Sequence, residues 1–150
     1  MTFSIVKAEI QDVEKLAPLF EGYRHFYKQE HNLEGAQKFL RERLSQNESV
    51  IFIAKESDNN DFLGFVQLYP SFISVRMQRL WILNDLFVAE KSRKKGVASA
   101  LMKAAENFAK EEGASRLVLQ TTSDNRIAQR LYEAIGYQKD PNIRYVLNLS

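Results

Sequence analysis

One stretch, Asn84 to Gly113, constrains the fold more than any other part of the chain. It reads NDLFVAEKSRKKGVASALMKAAENFAKEEG: a strand, a short basic loop and a long amphipathic helix whose N-terminus lies at the loop. Alternation along the strand sets Trp81, Leu83, Asp85 and Phe87 on one face and Ile82, Asn84, Leu86 and Val88 on the other. Beyond the loop, Val97, Leu101, Ala104, Ala105 and Phe108 recur at helical spacing, with Lys103, Asn107 and Lys110 on the opposite face. Gly113 follows, where a left-handed residue ends a helix at little cost.

The loop carries Lys91, Arg93, Lys94 and Lys95, then Gly96 and Ala98. Free backbone N–H groups and the positive dipole end of a helix favour an anion. Small residues at 96 and 98 let phosphate oxygens approach that backbone, and the four cations add charge where a pyrophosphate would sit. A run of lysine and arginine is also commonly just a solvated face, and composition alone does not separate the two readings. No Gly-x-x-x-x-Gly-Lys-Ser/Thr loop and no Gly-x-Gly-x-x-Gly turn is present, so nucleotide hydrolysis and dinucleotide binding lose support.

A chain of 150 residues suits a single domain, residues 1–150, able to bury most of its apolar surface. The net charge of +2 does not demand a nucleic-acid partner. With no cysteine there is neither a disulfide framework nor a thiolate nucleophile, which suits a cytoplasmic location. No apolar run approaches the roughly 20 residues that span a bilayer, and MTFSIVKAEIQD lacks a signal peptide's apolar core. His25 and His31 are the only histidines and form no ligand pattern, so neither a metal site nor a membrane partner is expected.

Taken in order, Phe3, Ile5 and Lys7 alternate as a first strand. Asp12 caps a helix with Val13, Leu16, Ala17, Phe20, Tyr23 and Tyr27 inward, which Pro18 should kink or restart. A second helix covers Leu33 to Leu44, with Phe39, Leu40 and Leu44 inward. Val50 to Lys55 is a short strand. Phe62 to Ser74 is a long one, interrupted or bulged at Pro70. Val75 to Gln78 turns back into the strand that ends at Val88, and Leu117 to Thr121 follows the central helix as a parallel partner. In SDNRIAQRLYEAIGY, a helix starts at Asn125, with Asp124 or Ser123 as cap, and ends at Gly136. Asn125, Ala128 and Tyr132 share one face; Ile127, Leu131 and Ile135 share the one that packs on the sheet. Tyr137 to Lys139 and Ile143 to Leu149 finish as antiparallel strands around the Pro141-Asn142 turn. The result is one mixed α/β domain.

These residues carry a resemblance. The strand and loop LFVAEKSRKKGVASALM resemble the acyl-CoA-binding motif of the GNAT superfamily of N-acetyltransferases, Arg/Gln-x-x-Gly-x-Gly/Ala, here Arg93, Gly96 and Ala98. NRIAQRLYEAIGY resembles the second motif of the same superfamily, with Asn125, Ala128, Tyr132, Gly136 and Tyr137 in register. The resemblance implies a mostly antiparallel mixed sheet whose central parallel pair splays open, flanked by about four helices. It implies acetyl-CoA as acyl donor, its pantetheine arm along Leu86, Phe87 and Val88. The pyrophosphate is then expected on Arg93, Lys94, Lys95, Gly96, Val97, Ala98 and Ser99, with Asn125 and Ala128 adding to the donor site. Pairing as a homodimer is a further expectation.

Acetyl transfer needs a held thioester, a stabilised carbonyl oxygen, a neutral amine and a proton for the departing thiolate. Family members place a tyrosine at the position of Tyr132, which the resemblance casts as that acid. Many relatives carry a glutamate where this chain has Asn84, which cannot take a proton. Asp85 follows. It can bind a cationic substrate, accept a proton through water, or point away and hold a structural hydrogen bond. Tyr23, Tyr27, Glu30 and Glu34 are acceptor-binding candidates beside Asn84, because aromatic faces with carboxylates suit an ammonium.

The leading reading is therefore an acetyl-CoA-dependent N-acetyltransferase that acts by direct attack of a small primary amine, such as a diamine, polyamine or amino acid. The alternatives are a peptide N-terminal or lysine acetyltransferase, and a non-catalytic acyl-CoA-binding module.

Overall fold

The computed structural model describes residues 2–150, which form two compact units, one up to Gln120 and one from Thr121 to Ser150. The first unit is built on a five-stranded sheet in the order β1 (Phe3–Lys7), β2 (Val50–Glu56), β3 (Phe62–Ile73), β4 (Gln78–Val88), β5 (Arg116–Val118). All neighbours run antiparallel except β4 and β5, which run parallel. Helices α1 (Val13–Phe26) and α2 (Leu33–Ser45) connect β1 to β2, and α3 (Val97–Glu111) makes the crossover from β4 to β5.

Each face of the sheet has its own packing. On one side Val13, Leu16, Ala17 and Phe20 of α1 and Ala36 and Leu40 of α2 bury against Ile51, Ile53 and Phe65. Burying each of the larger of these side chains contributes roughly 1.5–3 kcal/mol. On the other side α3 buries Val97, Leu101, Met102, Ala105 and Ala109, and Phe108 meets Trp81 and Phe52 edge-on at 5.0 and 5.6 Å. The residues spaced for the inner face of α3 do this because they lie on one stripe of the helix. Gly113, at φ +75°, ends that helix region in the left-handed conformation.

Several local expectations need correcting. Pro18 lies inside a helix that runs on as one element; it is exposed near the N-terminus, where water can serve the carbonyl that loses its partner. Pro70 does not interrupt β3, since β2 pairs only as far as Leu68 and the strand has an open edge beyond it. Phe39 is 37% exposed rather than buried and stacks on Phe20. The bulge lies elsewhere: Gln67 pairs with Asp85 and Leu68 with Leu83, so Asn84 is an extra residue in β4.

That extra residue shifts the alternation. Trp81 faces α3, while Asp85 and Phe87 face α1, where the Phe87 ring lies 5.8 Å from that of Tyr23. The single face expected for residues 81 to 87 is thus split at the bulge, which re-aims the following side chain.

In the second unit, α4 (Arg126–Ile135) is capped by Asn125, whose Oδ1 accepts from the Ala128 N–H at 3.2 Å, and Gly136 ends it at φ +117°. Among the described residues, Tyr137 to Ser150 contains no strand, contrary to the two expected there. Around Pro141 the Asn142 N–H bonds Asp140 Oδ1 at 2.8 Å. Alternating apolar residues favour a strand but do not supply the neighbour that a ladder needs.

Candidate active site

Strand β4 and β5 share rungs only from Leu80–Arg116 to Ile82–Val118. Among the described residues of the first unit, β4 pairs on one side alone from Leu83 to Val88, which leaves backbone groups on its outer edge for an extended, amide-bearing ligand. This is the expected splay, positioned beside Leu86, Phe87 and Val88.

The loop after β4 turns through a short 3-10 stretch, Glu90–Ser92, with Ser92 buried. Lys94 and Gly96 both take positive φ, +62° and +81°, before the helix starts at Val97. A Cβ on Gly96 would meet nothing within 4 Å, so it is the backbone angle that calls for glycine there. Helix geometry leaves the N–H groups of Gly96, Val97, Ala98 and Ser99 without intrahelical acceptors, and loops turned this way make anion-binding concavities. Lys91, Arg93, Lys94 and Lys95 are all exposed around them.

Arg93 holds the loop in place. Its Nε donates to the Val88 carbonyl at 3.0 Å, and its guanidinium lies 5.7 Å from the Phe87 ring centre. Lys95 Nζ reaches back to the Lys91 carbonyl at 3.3 Å.

On the α1 side of the sheet a polar cluster sits at the bulge. Asp85 is 7% exposed; its Oδ2 accepts from Gln67 Nε2 at 2.8 Å and its Oδ1 from Asn84 Nδ2 at 3.1 Å. The Tyr23 hydroxyl lies close enough to the same carboxylate and to Tyr27 for both to raise its pKa. Burial, and then the Asp85 charge, hold the Tyr23 phenol far above its ordinary range. Tyr69 is pushed up to about 12 by burial first and Asp85 second, with Arg43 opposing. Within the described residues of the first unit, the ion pairs join Arg24 to Glu21, Arg43 to Glu42 and Glu48, and Glu106 to Lys103 and Lys110; none includes Asp85.

The cluster therefore unites Tyr23, Asn84 and Asp85 of the residues expected at the acceptor site, with Tyr27 one hydroxyl further out. Glu30 and Glu34 are exposed, and no contact among the described residues links them to Asp85; the Glu30 carbonyl instead accepts from Arg24 at 3.1 Å. Three participants escaped the sequence reading. Gln67 and Tyr69 lie on β3, and the only hint of Gln67 is a polar residue inside the apolar run FLGFVQLY. Glu21, on the buried side of α1, bonds Arg24 and the Asn32 N–H at 2.7 Å each and so fixes the turn that follows Tyr27.

A buried carboxylate held by neutral donors, an open strand edge and an amide-lined basic loop suit a ligand that is anionic at one end and delivers chemistry at the other. Known proteins agree. Residues 16–137 match the model of the Acetyltransferase (GNAT) family. The chain is 48% identical over 147 residues to the uncharacterized N-acetyltransferase YhfO of Bacillus subtilis (strain 168), covering 97% of each. A crystal structure of a probable acetyltransferase superposes with a TM-score of 0.94 at 43% identity, covering 98% of both chains. The fold is also that of a predicted acetyltransferase from Clostridium acetobutylicum solved with acetyl-CoA, with a TM-score of 0.80 at 19% identity over 99% of this chain and 97% of that one. The open β4 edge and the loop amides fit such a donor, whose amide-bearing arm and diphosphate require those two features. The chain belongs to the GNAT family and is an acetyl-CoA-dependent N-acetyltransferase.

Proposed function

We propose that the enzyme acetylates a primary amine on a small molecule, such as a diamine, polyamine or amino acid. The observation that carries this reading is Asp85, a carboxylate buried beside aromatic rings with only neutral donors around it in its own unit. Buried charges are normally paired, and a substrate ammonium is a fitting partner. The rings of Tyr23 and Tyr27, 5.1 Å apart, add aromatic surface next to that charge. Glu30 is a more distant member of this acceptor wall.

In this proposal the donor's arm runs along Leu86, Phe87 and Val88, and its diphosphate rests on the backbone from Arg93 to Ser99. Asn125 and Ala128 contribute through the cap that they form for α4, and the two units act as one domain. The bound ammonium gives one proton to Asp85. The neutral nitrogen then attacks the thioester carbonyl and gives its second proton to water; the C–N bond forms, the C–S bond breaks and the thiolate takes a proton from Tyr132. Tyr132 recovers a proton from water, and Asp85 releases the one it holds, with Tyr23 and Tyr27 as a hydroxyl route outward. The support for Tyr132 is its register in the second motif.

Among the described residues no helix is long and apolar enough to cross a membrane. A cytoplasmic location belongs to the same proposal, as does assembly into a homodimer, for which the exposed Phe72, Val75 and Met77 at the β3–β4 hairpin offer an apolar surface. The deciding test is release of free thiol from acetyl-CoA with a panel of small amines, amino acids and peptides. Small primary amines should be turned over in preference to peptides; preference for peptide N-termini or lysine side chains would overturn the substrate class.

A further inference from the structure

The side chain of Gln67 is fully buried, its nitrogen is committed to Asp85, and its oxygen has no partner among the described residues. The assignment of the two amide atoms is dictated by chemistry: turned over, the amide would set its oxygen against a carboxylate oxygen and orphan two donors instead. A buried acceptor without a donor is costly and calls for an explanation, either an ordered water or a ligand group.

The geometry narrows the ligand. The oxygen and nitrogen of one amide lie roughly 2.3 Å apart, so Gln67 Oε1 is no more than about 5 Å from Asp85 Oδ2. One nitrogen with two hydrogen bonds of about 2.8 Å spans that distance. Gln67 is opposite Asp85 in the ladder at the bulge, so both acceptors are fixed to the same rung. Asn84, which touches the other carboxylate oxygen, is exposed, leaving the pair one side chain from solvent.

We propose that Gln67 is a specificity-determining residue of the acceptor site: its Oε1 and the Asp85 carboxylate together grip a single ammonium that carries at least two N–H bonds. This rests on the amine-acetylation reading above and adds to it. A glutamine supplies the second acceptor without a second charge, so the site matches one ammonium with one carboxylate. Primary amines meet the requirement, whereas a tertiary ammonium has one N–H and an alcohol one O–H.

The test uses the full chain with acetyl-CoA and three probes, butylamine, N-methylbutylamine and N,N-dimethylbutylamine. On the wild-type enzyme, with the amine that the panel identifies as substrate, the three should inhibit in descending order, the dimethyl form at least about tenfold more weakly than butylamine. Equal inhibition by all three overturns the proposal. Gln67→Met keeps length and removes the acceptor. It should raise the KM of the panel amine about tenfold or more, leave the KM of acetyl-CoA in place and flatten the order of the three probes. A folded Gln67→Met enzyme with unchanged amine KM and unchanged probe order assigns the site to a buried water and overturns the proposal. If Gln67→Met does not fold, the wild-type inhibition series decides alone. Failure of the underlying reading looks different: acetyl-CoA binds, yet no amine of the panel releases thiol, and the proposal falls with it.

Discussion

The Arg93 side chain donates from Nε to the Val88 carbonyl at 3.0 Å, clipping the basic loop to the end of the strand that precedes it. The motif's arginine therefore shapes the loop as well as charging it. Hydrogen bonds from charged groups contribute about 1.5–3 kcal/mol, and 1.4 kcal/mol is tenfold in binding. Arg93→Glu should weaken acetyl-CoA about tenfold or more by calorimetry. Unchanged affinity would remove the loop from the donor site.

Asp85→Asn preserves size while removing the charge and the proton acceptor. Base catalysis is worth about 10²–10⁴-fold, so turnover should fall about 100-fold or more with donor affinity retained. An Asp85→Asn enzyme with full turnover would return Asp85 to a purely structural role.

Tyr23 and Tyr69 should titrate late. Tyr69 is raised to about 12, and Tyr23 is raised as well by burial and then by the Asp85 charge. Each keeps its proton in the folded state at pH values where the unfolded chain has lost it. Their contribution to stability is present below pH 10 and declines as pH rises from 10 through about 12. Tyrosinate absorbance should show the two ionising only with unfolding, and Tyr23→Phe should remove one of them. Ionisation of all six near the ordinary value would contradict the buried cluster.

Gly64 lies opposite Val88 in the β3–β4 ladder, at the end of β4. A Cβ there would lie 2.7 Å from the Phe87 carbonyl oxygen and 3.2 Å from the Val88 Cα. Backbone cannot yield as a flexible side chain can. Gly64→Ala should destabilise by about 1–3 kcal/mol in urea titration and weaken acetyl-CoA, because it displaces Phe87 and Val88. Wild-type stability would show that the two strands can separate at little cost.

Tyr132→Phe tests the acid directly. Turnover should drop about 100-fold with the acetyl-CoA dissociation constant nearly unchanged. Equal losses in turnover and donor affinity would make Tyr132 a packing residue.

The basic loop, the helix after it and its glycine stop were legible because each depends on local rules: charge, periodicity and left-handed φ. The position of Asp85 was not. Counting alternate residues from Trp81 assumes one residue per rung, and the extra Asn84 breaks that count without any mark in composition. Gln67 and Glu21 were invisible for a related reason. A polar residue on an inward position reads as a flaw until its partner appears from another element, here Asp85 from β4 and the Asn32 N–H from the turn before α2. The cap of α4 was expected at Asp124 or Ser123; it is Asn125 itself, and its bond to the Ala128 N–H explains their spacing of three. The strands expected after Gly136 failed because alternation reports a preference and says nothing of a neighbour.

The parallel joint between β4 and β5 ends at Ile82, partway along β4. Amide hydrogens on the outer edge of β4 beyond that point have no strand partner among the described residues, and deuterium should enter there early. In the proposed donor mode, an extended molecule lying along that edge supplies the missing rungs, slowing that exchange and raising the melting temperature with its own concentration. The enzyme is thus most firmly folded when loaded, and its thermal stability doubles as a gauge of the donor dissolved around it.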